Sequence, residues 1–221
     1  MPDGTPRKLI VAITGASGVI YGVRMLELLR SVHVETHVVV SKWAARTLVH
    51  ETNYTLQHVQ QMASCWYSPN DMGAAISSGS FVTDGMIIVP CSVRTLAAIA
   101  TGLGDHLIHR AADVILKERR KLVLAIREAP FTNIHLENML KLSRMGVVIS
   151  TPVPAFYNHP RSIDDLVDHT VARLLDQFGI HLGVAPRWTG DMAVGGPDSE
   201  SAGSPRLGTA LDAAEDVEVK D

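Results

Sequence analysis

The sequence predicts an α/β fold, a parallel sheet with helices on both faces, in a single domain. Two observations carry this. Short runs that are apolar throughout, such as residues 9–13 and 86–89, alternate with stretches whose apolar residues recur at helical spacing. Strands that show no apolar–polar alternation are covered on both faces, which is the habit of a parallel sheet wrapped by helices.

Taken in order, residues 9–13 form the first strand, stopped by Gly15-Ala16-Ser17-Gly18. Val19, Ile20, Val23, Leu26 and Leu29 then mark one face of a helix. Residues 36–40 are a β-branched second strand ending at Ser41, and a helix is predicted over residues 42–51. Residues 54–80 read as irregular, with Pro69-Asn70-Asp71 as a turn. The third strand, residues 86–89, ends at Pro90-Cys91-Ser92. Helices over 95–101 and 107–120 lead to a strand at 122–126, then a helix over 134–144 and a strand at 147–149. Pro152-Val153-Pro154 breaks the pattern. Ser162, with Asp165 as its capping-box partner, starts a last helix that runs to Phe178. From Thr189 onward Gly, Ser, Pro and acidic residues replace any periodic apolar face. Residues 1–188 are therefore expected to be the domain, and residues 189–221 a disordered tail.

Composition narrows the function. A chain of 221 residues, 46% hydrophobic, can bury a full core. A net charge of −3 argues against a nucleic-acid-binding surface, though it permits a local basic pocket. The two cysteines, Cys65 and Cys91, imply no disulfide framework. No apolar run is long enough to span a bilayer and no signal-peptide pattern occurs, so the expected setting is the cytoplasm, away from membranes.

Ligands of parallel α/β sheets bind at the carboxyl ends of strands. That rule selects Gly15 to Gly18, Ser41, the segment from Cys91 to Thr95, and Arg127-Glu128. The glycine-containing loop at a helix start suits an anion, but it is neither a P-loop nor a full G-x-G-x-x-G, and taken alone it is an ordinary turn. Ser41, Ser92 and Thr95 taken singly are helix caps. Together on one sheet edge they point to a nucleotide-like ligand. Arg127 ends an apolar strand, where a forked donor fits a phosphate. Arg119, Arg120 and Lys121 read as a solvated face. Asp164-Asp165-Leu166-Val167-Asp168 resembles the aspartate-rich pattern of polyprenyl diphosphate enzymes, but its acids occupy the first turn of a helix and complement its dipole. Among ten histidines only His106 and His109 are suitably close, and with no third ligand evident no metal site is expected.

These blocks come in one order with others: Ser77-Ser78-Gly79-Ser80, Arg110-Ala111-Ala112-Asp113, Leu116-Lys117-Glu118-Arg119-Arg120, Arg127-Glu128-Ala129-Pro130, His135-Leu136-Glu137-Asn138-Met139 and Pro154-Ala155-Phe156-Tyr157. Together, over residues 8–188, the chain resembles the flavin prenyltransferase (UbiX) family. The resemblance implies a Rossmann-like flavoprotein fold, a dodecameric homo-oligomer, reduced FMN as one substrate and dimethylallyl phosphate as the other. The implied product is prenylated FMN, whose fourth ring joins flavin N5 and C6, passed to a UbiD-like aromatic-acid decarboxylase. Position by position, the resemblance assigns FMN to Gly15, Ala16, Ser17, Ser41, Ser92, Val93, Arg94, Thr95 and Arg127. It assigns the prenyl phosphate to Tyr157 and Arg173, with Lys117, Glu128 and Arg110 at further pocket positions. It places Glu51 with Ser17 near the reacting flavin edge, so that Ser17, Glu51, Lys117 and Glu128 are the expected catalytic set. Met72 stands where some members carry Trp.

Two other activities compete. An FMN-dependent decarboxylase of the cysteine-decarboxylase type would show Pro-Ala-Ser-Ala-Asn-Thr where this chain has Pro90-Cys91-Ser92-Val93-Arg94-Thr95. A non-catalytic flavin-binding subunit of an aromatic-acid decarboxylase complex would have no use for the prenyl-phosphate residues.

Overall fold

A computed structural model of the chain describes residues 6–190. The expectation of a disordered tail at residues 189–221 therefore falls, from residue 191 on, outside the described residues. Residues 6–187 form one compact unit.

The strands are β1 (Lys8–Ile13), β2 (Glu35–Val40), β3 (Cys65–Tyr67), β4 (Gly85–Cys91), β5 (Lys121–Ile126) and β6 (Val148–Ser150). They make one sheet in the order β3-β2-β1-β4-β5-β6. Every pairing is parallel. This is the doubly wound Rossmann order, in which the winding reverses between β1 and β4. The helices are α1 (Val19–Ser31), α2 (Lys42–Glu51), α3 (Leu56–Met62), α4 (Val93–Thr101), α5 (Leu107–Lys117), α6 (Asn133–Arg144) and α7 (Ile163–Asp176).

The two faces follow from the period-two geometry of the strands. Leu9, Val11 and Ile13 of β1 join a core with Val23 and Leu26 of α1 and Val171 and Leu175 of α7. Ile10 and Ala12, the residues between, join the opposite core with Leu96 of α4 and Ile108 and Ile115 of α5. β4 and β5 divide the same way, so each strand is apolar on both sides and the expectation of a doubly covered sheet holds. At one point helix and sheet come unusually close. A Cβ on Gly22 of α1 would sit 2.7 Å from the carbonyl oxygen of Val89 and 2.7 Å from Ile13 Cδ1, so only glycine lets α1 settle against the β1–β4 junction.

The structure departs from the sequence expectation in residues 54–80. That stretch contains α3 and the short edge strand β3, whose three residues are all only partly buried. A three-residue strand carries too little pattern to be read by periodicity. The predicted helix over 107–120 stops at Lys117, because Arg119 takes a left-handed φ of 55° and turns the chain into β5. The aspartate-rich block is structural, as expected. Asp165 accepts from the amides of Arg161 and Ser162, and Asp168 pairs with Arg24 at 2.5 Å.

Candidate active site

The carboxyl ends of β1, β2, β4 and β5 open into a cleft of about 620 Å³, the size of a small-molecule site. Its wall includes Gly15, Ala16, Ser17, Ser41 and the run Ser92, Val93, Arg94, Thr95, together with Arg127 and Glu128. All nine residues that the resemblance assigned to FMN line this one cavity. Local sequence explains the arrangement. Ser41 caps α2, its hydroxyl accepting from the Ala44 amide at 3.1 Å. Ser92 caps α4, accepting from the Thr95 amide at 3.3 Å. The loop after β4 is tied to the loop after β1: Thr14 donates its hydroxyl to the Pro90 carbonyl and accepts from the Ser92 amide, each at 2.8 Å. β5 is fastened alongside by the Arg127 amide, which donates to the Cys91 carbonyl at 3.1 Å. Gly15 is where α2 comes closest, since a Cβ there would lie 2.4 Å from Trp43 Cβ.

Glu51 occupies an unexpected position. Its carboxylate accepts from the Gly18 amide at 2.8 Å and the Val19 amide at 3.3 Å. It therefore holds the anion position at the start of α1, where the glycine loop was expected to receive a phosphate. The phosphate-binding character of the cleft is left to the starts of α2 and α4 and to Arg127.

A second cavity of about 470 Å³ adjoins the first. The two share Ser17, Arg127 and Glu128. The rest of its wall is largely apolar, with Ile126, Phe131, Pro152, Val153 and Pro154 beside Tyr21. Burial pushes the Tyr21 phenol above its ordinary pKa, against the opposing pull of the Arg127 charge, so it stays protonated at neutral pH. Cys91, fully buried beneath the cleft, is likewise held as a thiol by burial and is no nucleophile.

Four assigned residues do not converge here within one chain. Lys117 ends α5 and pairs with Glu118 at 2.5 Å. It precedes β5, whereas Arg127 follows it, and six residues rising about 3.3 Å each separate the two by roughly 20 Å. Arg110 shares a different groove with Lys117, donating to the Ser77 carbonyl at 3.1 Å and pairing with Asp113 at 2.7 Å. Tyr157 and Arg173 lie together on the α7 side. Tyr157 contacts His169 across 3.0 Å, and His169 and Arg173 are one turn apart on α7. Arg173 donates to Asp176 at 2.6 Å. Among the described residues, neither Tyr157 nor Arg173 lines either cavity.

The sequence reading missed Trp43, Asn70, His106 and His109, all in the wall of the larger cleft. Trp43 follows the second strand directly and obeys the same strand-end rule as Ser41. The other three could not be found that way. They reach the cleft because the Leu107 amide bonds the Pro69 carbonyl at 2.8 Å, which draws the start of α5 toward the turn before it. Burial pushes the imidazoles of His106 and His109 below the ordinary histidine value.

Known proteins agree with this geometry. The flavoprotein family model matches residues 3–175. A probable UbiX-like flavin prenyltransferase of Bacillus subtilis is 61% identical over 183 residues, covering 83% of this chain and 90% of that protein. A crystal structure of a UbiX protein in complex with FMN and dimethylallyl pyrophosphate superposes with a TM-score of 0.83 at 52% identity, covering 84% of this chain and 99% of that one. A dodecameric FMN-dependent UbiX-like decarboxylase from Escherichia coli O157:H7 superposes with a TM-score of 0.82 at 57% identity, covering 83% and 100%. Matched by the family model over most of its length and by relatives more than half identical to it, the chain belongs to the UbiX-like flavin prenyltransferase family of flavoproteins.

Proposed function

We propose that this protein transfers a dimethylallyl group from dimethylallyl phosphate to reduced FMN, forming prenylated FMN. The observation that carries the reading is the pair of adjoining cavities with a common wall of Ser17, Arg127 and Glu128. The larger, polar cleft suits the flavin. Hydroxyls, helix-start amides and the guanidinium groups of Arg94 and Arg127 are the donor set that a ribityl phosphate needs. The smaller, apolar cavity suits the dimethylallyl group.

Reduced FMN, when bound, supplies the nucleophilic positions N5 and C6. The chain's own residues do the rest. Arg127, at the mouth of both cavities, stabilises the phosphate as the allylic C–O bond breaks, and a preorganised donor of this kind contributes about 2.7–4 kcal/mol. Phe131, Tyr21, Ile126 and Val153 keep water from the allyl carbon, and the two aromatic faces stabilise its cationic character. Glu128 and Ser17 stand where a proton must leave as the second bond closes, with the departing phosphate as the alternative base. Glu51 acts through the backbone, holding the start of α1 and with it the Ser17 loop.

Lys117 and Arg110 serve the prenyl phosphate only if a neighbouring copy presents them, as do Tyr157 and Arg173. We therefore infer a homo-oligomer whose subunits complete one another's sites. The product passes to a UbiD-like decarboxylase. The reaction belongs in the reducing cytoplasm, which agrees with the unpaired Cys65 and Cys91. Anaerobic incubation with reduced FMN and dimethylallyl phosphate, followed by mass spectrometry of the extracted flavin, tests the reading. A flavin heavier by one dimethylallyl unit is expected, and unmodified FMN refutes it.

A further inference from the structure

We propose that Asp105, His106 and His109 form a binding site for a borderline divalent cation of the zinc class, in the wall of the flavin cleft. Two imidazoles and a carboxylate are a donor set suited to zinc. The sequence reading stopped at His106 and His109 for want of a third ligand, and the fold supplies it. Asp105 lies just before α5, His106 caps its start and His109 follows one turn later. One donor atom from each of the three lies within 4.8 Å of the others. Tetrahedral zinc with bonds of about 2.0–2.1 Å needs its ligands about 3.4 Å apart, a difference that small side-chain rotations close.

The second observation is a set of orphaned nitrogens. His109 is only 2% exposed, yet its Nε2 has no hydrogen-bond partner. Its Nδ1 pairs with a carboxylate oxygen of Asp105 at 2.5 Å, which ties the third ligand to the ring. Nδ1 of His106 is also buried and unpartnered, and the two rings stack with centroids 3.7 Å apart. Buried polar atoms are almost always satisfied, so one unpartnered nitrogen on each of two neighbouring imidazoles calls for a shared partner. A cation bound by their lone pairs is that partner. The other comparable cluster, Glu35, His37 and Cys65, lacks this feature. Both nitrogens of His37 are engaged, one with Tyr67 at 2.9 Å and one with Glu35 at 3.0 Å.

Both histidines line the larger cleft, so the coordination position that the protein leaves open faces the cavity. A water or a phosphate oxygen would fill it. The inference does not depend on prenyl transfer.

The test uses the full-length, tag-free protein, with its flavin content measured, titrated with zinc chloride by calorimetry and with cobalt chloride by visible absorption. One zinc per chain is expected, bound in the micromolar range or tighter, with cobalt giving the intense visible bands of a site of low coordination number. His106→Gln should weaken zinc by more than about 100-fold, beyond what loss of an outer-shell partner costs. Asp105→Asn should weaken it less, and Cys65→Ser should not change it. Asp105 is exposed and His106 is partly so, and unchanged circular dichroism would show that both variants fold. The proposal is overturned by absence of stoichiometric binding, by zinc affinity that survives His106→Gln, or by affinity lost in Cys65→Ser.

Discussion

Arg173 looks at first like an ordinary helix-surface charge. Its side chain is 57% exposed and pairs with Asp176 at 2.6 Å. Asp176 is itself well covered and also holds His181 and Arg187, each at 2.6 Å. Removing Arg173 therefore leaves that carboxylate partnered, and Arg173→Ala should change stability by no more than about 0.5 kcal/mol. Its assignment to the prenyl phosphate predicts a different loss. Turnover should fall by about 10²–10³, with FMN affinity nearly unchanged, because Arg173 lies outside the flavin cleft. Arg173→Lys should restore turnover only in part, since an ammonium lacks the forked geometry. Steady-state rates beside a flavin titration separate the two effects. A rate for Arg173→Ala within a factor of about three of the parent would end the phosphate role.

At the scale of elements, the seat of α1 decides where Ser17 and the Glu51-capped loop stand. Gly22 makes that seat possible. The carbonyl of Val89 cannot retreat from an added Cβ without disturbing β4, whose next residues lead to Ser92. Gly22→Ala should therefore cost about 1–3 kcal/mol, the range for overpacking a tight contact. Urea denaturation should show a lower midpoint at an unchanged slope. Flavin affinity should fall with it, because displacement of α1 moves both walls of the cleft. A second element-level device is His37, buried at the amino end of β2 between Tyr67 and Glu35. Burial lowers its pKa below the usual 6.5. The unfolded chain then binds the proton more readily than the folded one, so stability is present above pH 6.5 and is lost as pH falls toward the folded value. The urea midpoint should decline below about pH 6.5, and His37→Gln should flatten that decline.

The whole molecule carries an apolar surface that one chain does not use. On α6, Ile134, Leu136 and Leu140 are 67%, 50% and 51% exposed, and Met145 just beyond is 57% exposed, while Leu142 is the helix's one buried residue. A helix seated by so little of its own apolar surface fits burial against another copy, as the proposed assignment of Lys117, Arg110, Tyr157 and Arg173 to the prenyl phosphate also predicts. Leu140→Glu should yield a smaller particle by light scattering. It should lose prenyl transfer while retaining FMN, because the nine residues assigned to the flavin line one cavity of a single chain. An oligomer of unchanged size would show that α6 is not the contact.

The sequence alone determined the doubly covered parallel sheet, the loops at the carboxyl ends of its strands and nine of the residues that line the larger cleft. These are legible because strand burial, helix capping and the strand-end rule are local or periodic, and each leaves a mark within a few residues. The family blocks added the chemistry. What only the tertiary structure decided depends on contacts between distant segments. Glu51 is 33 residues from the Gly18 amide it caps. The Pro69–Leu107 hydrogen bond draws His106 and His109 into the cleft, and the loop before α5 sets Asp105 beside them, a grouping that a search for regular metal-ligand spacing passed over. The length of β5 places Lys117 and Arg127 at opposite ends of that strand, so two residues ten positions apart in sequence do not meet within one chain. Periodicity records which face a side chain takes, but proximity between elements is set by how the helices pack on the sheet.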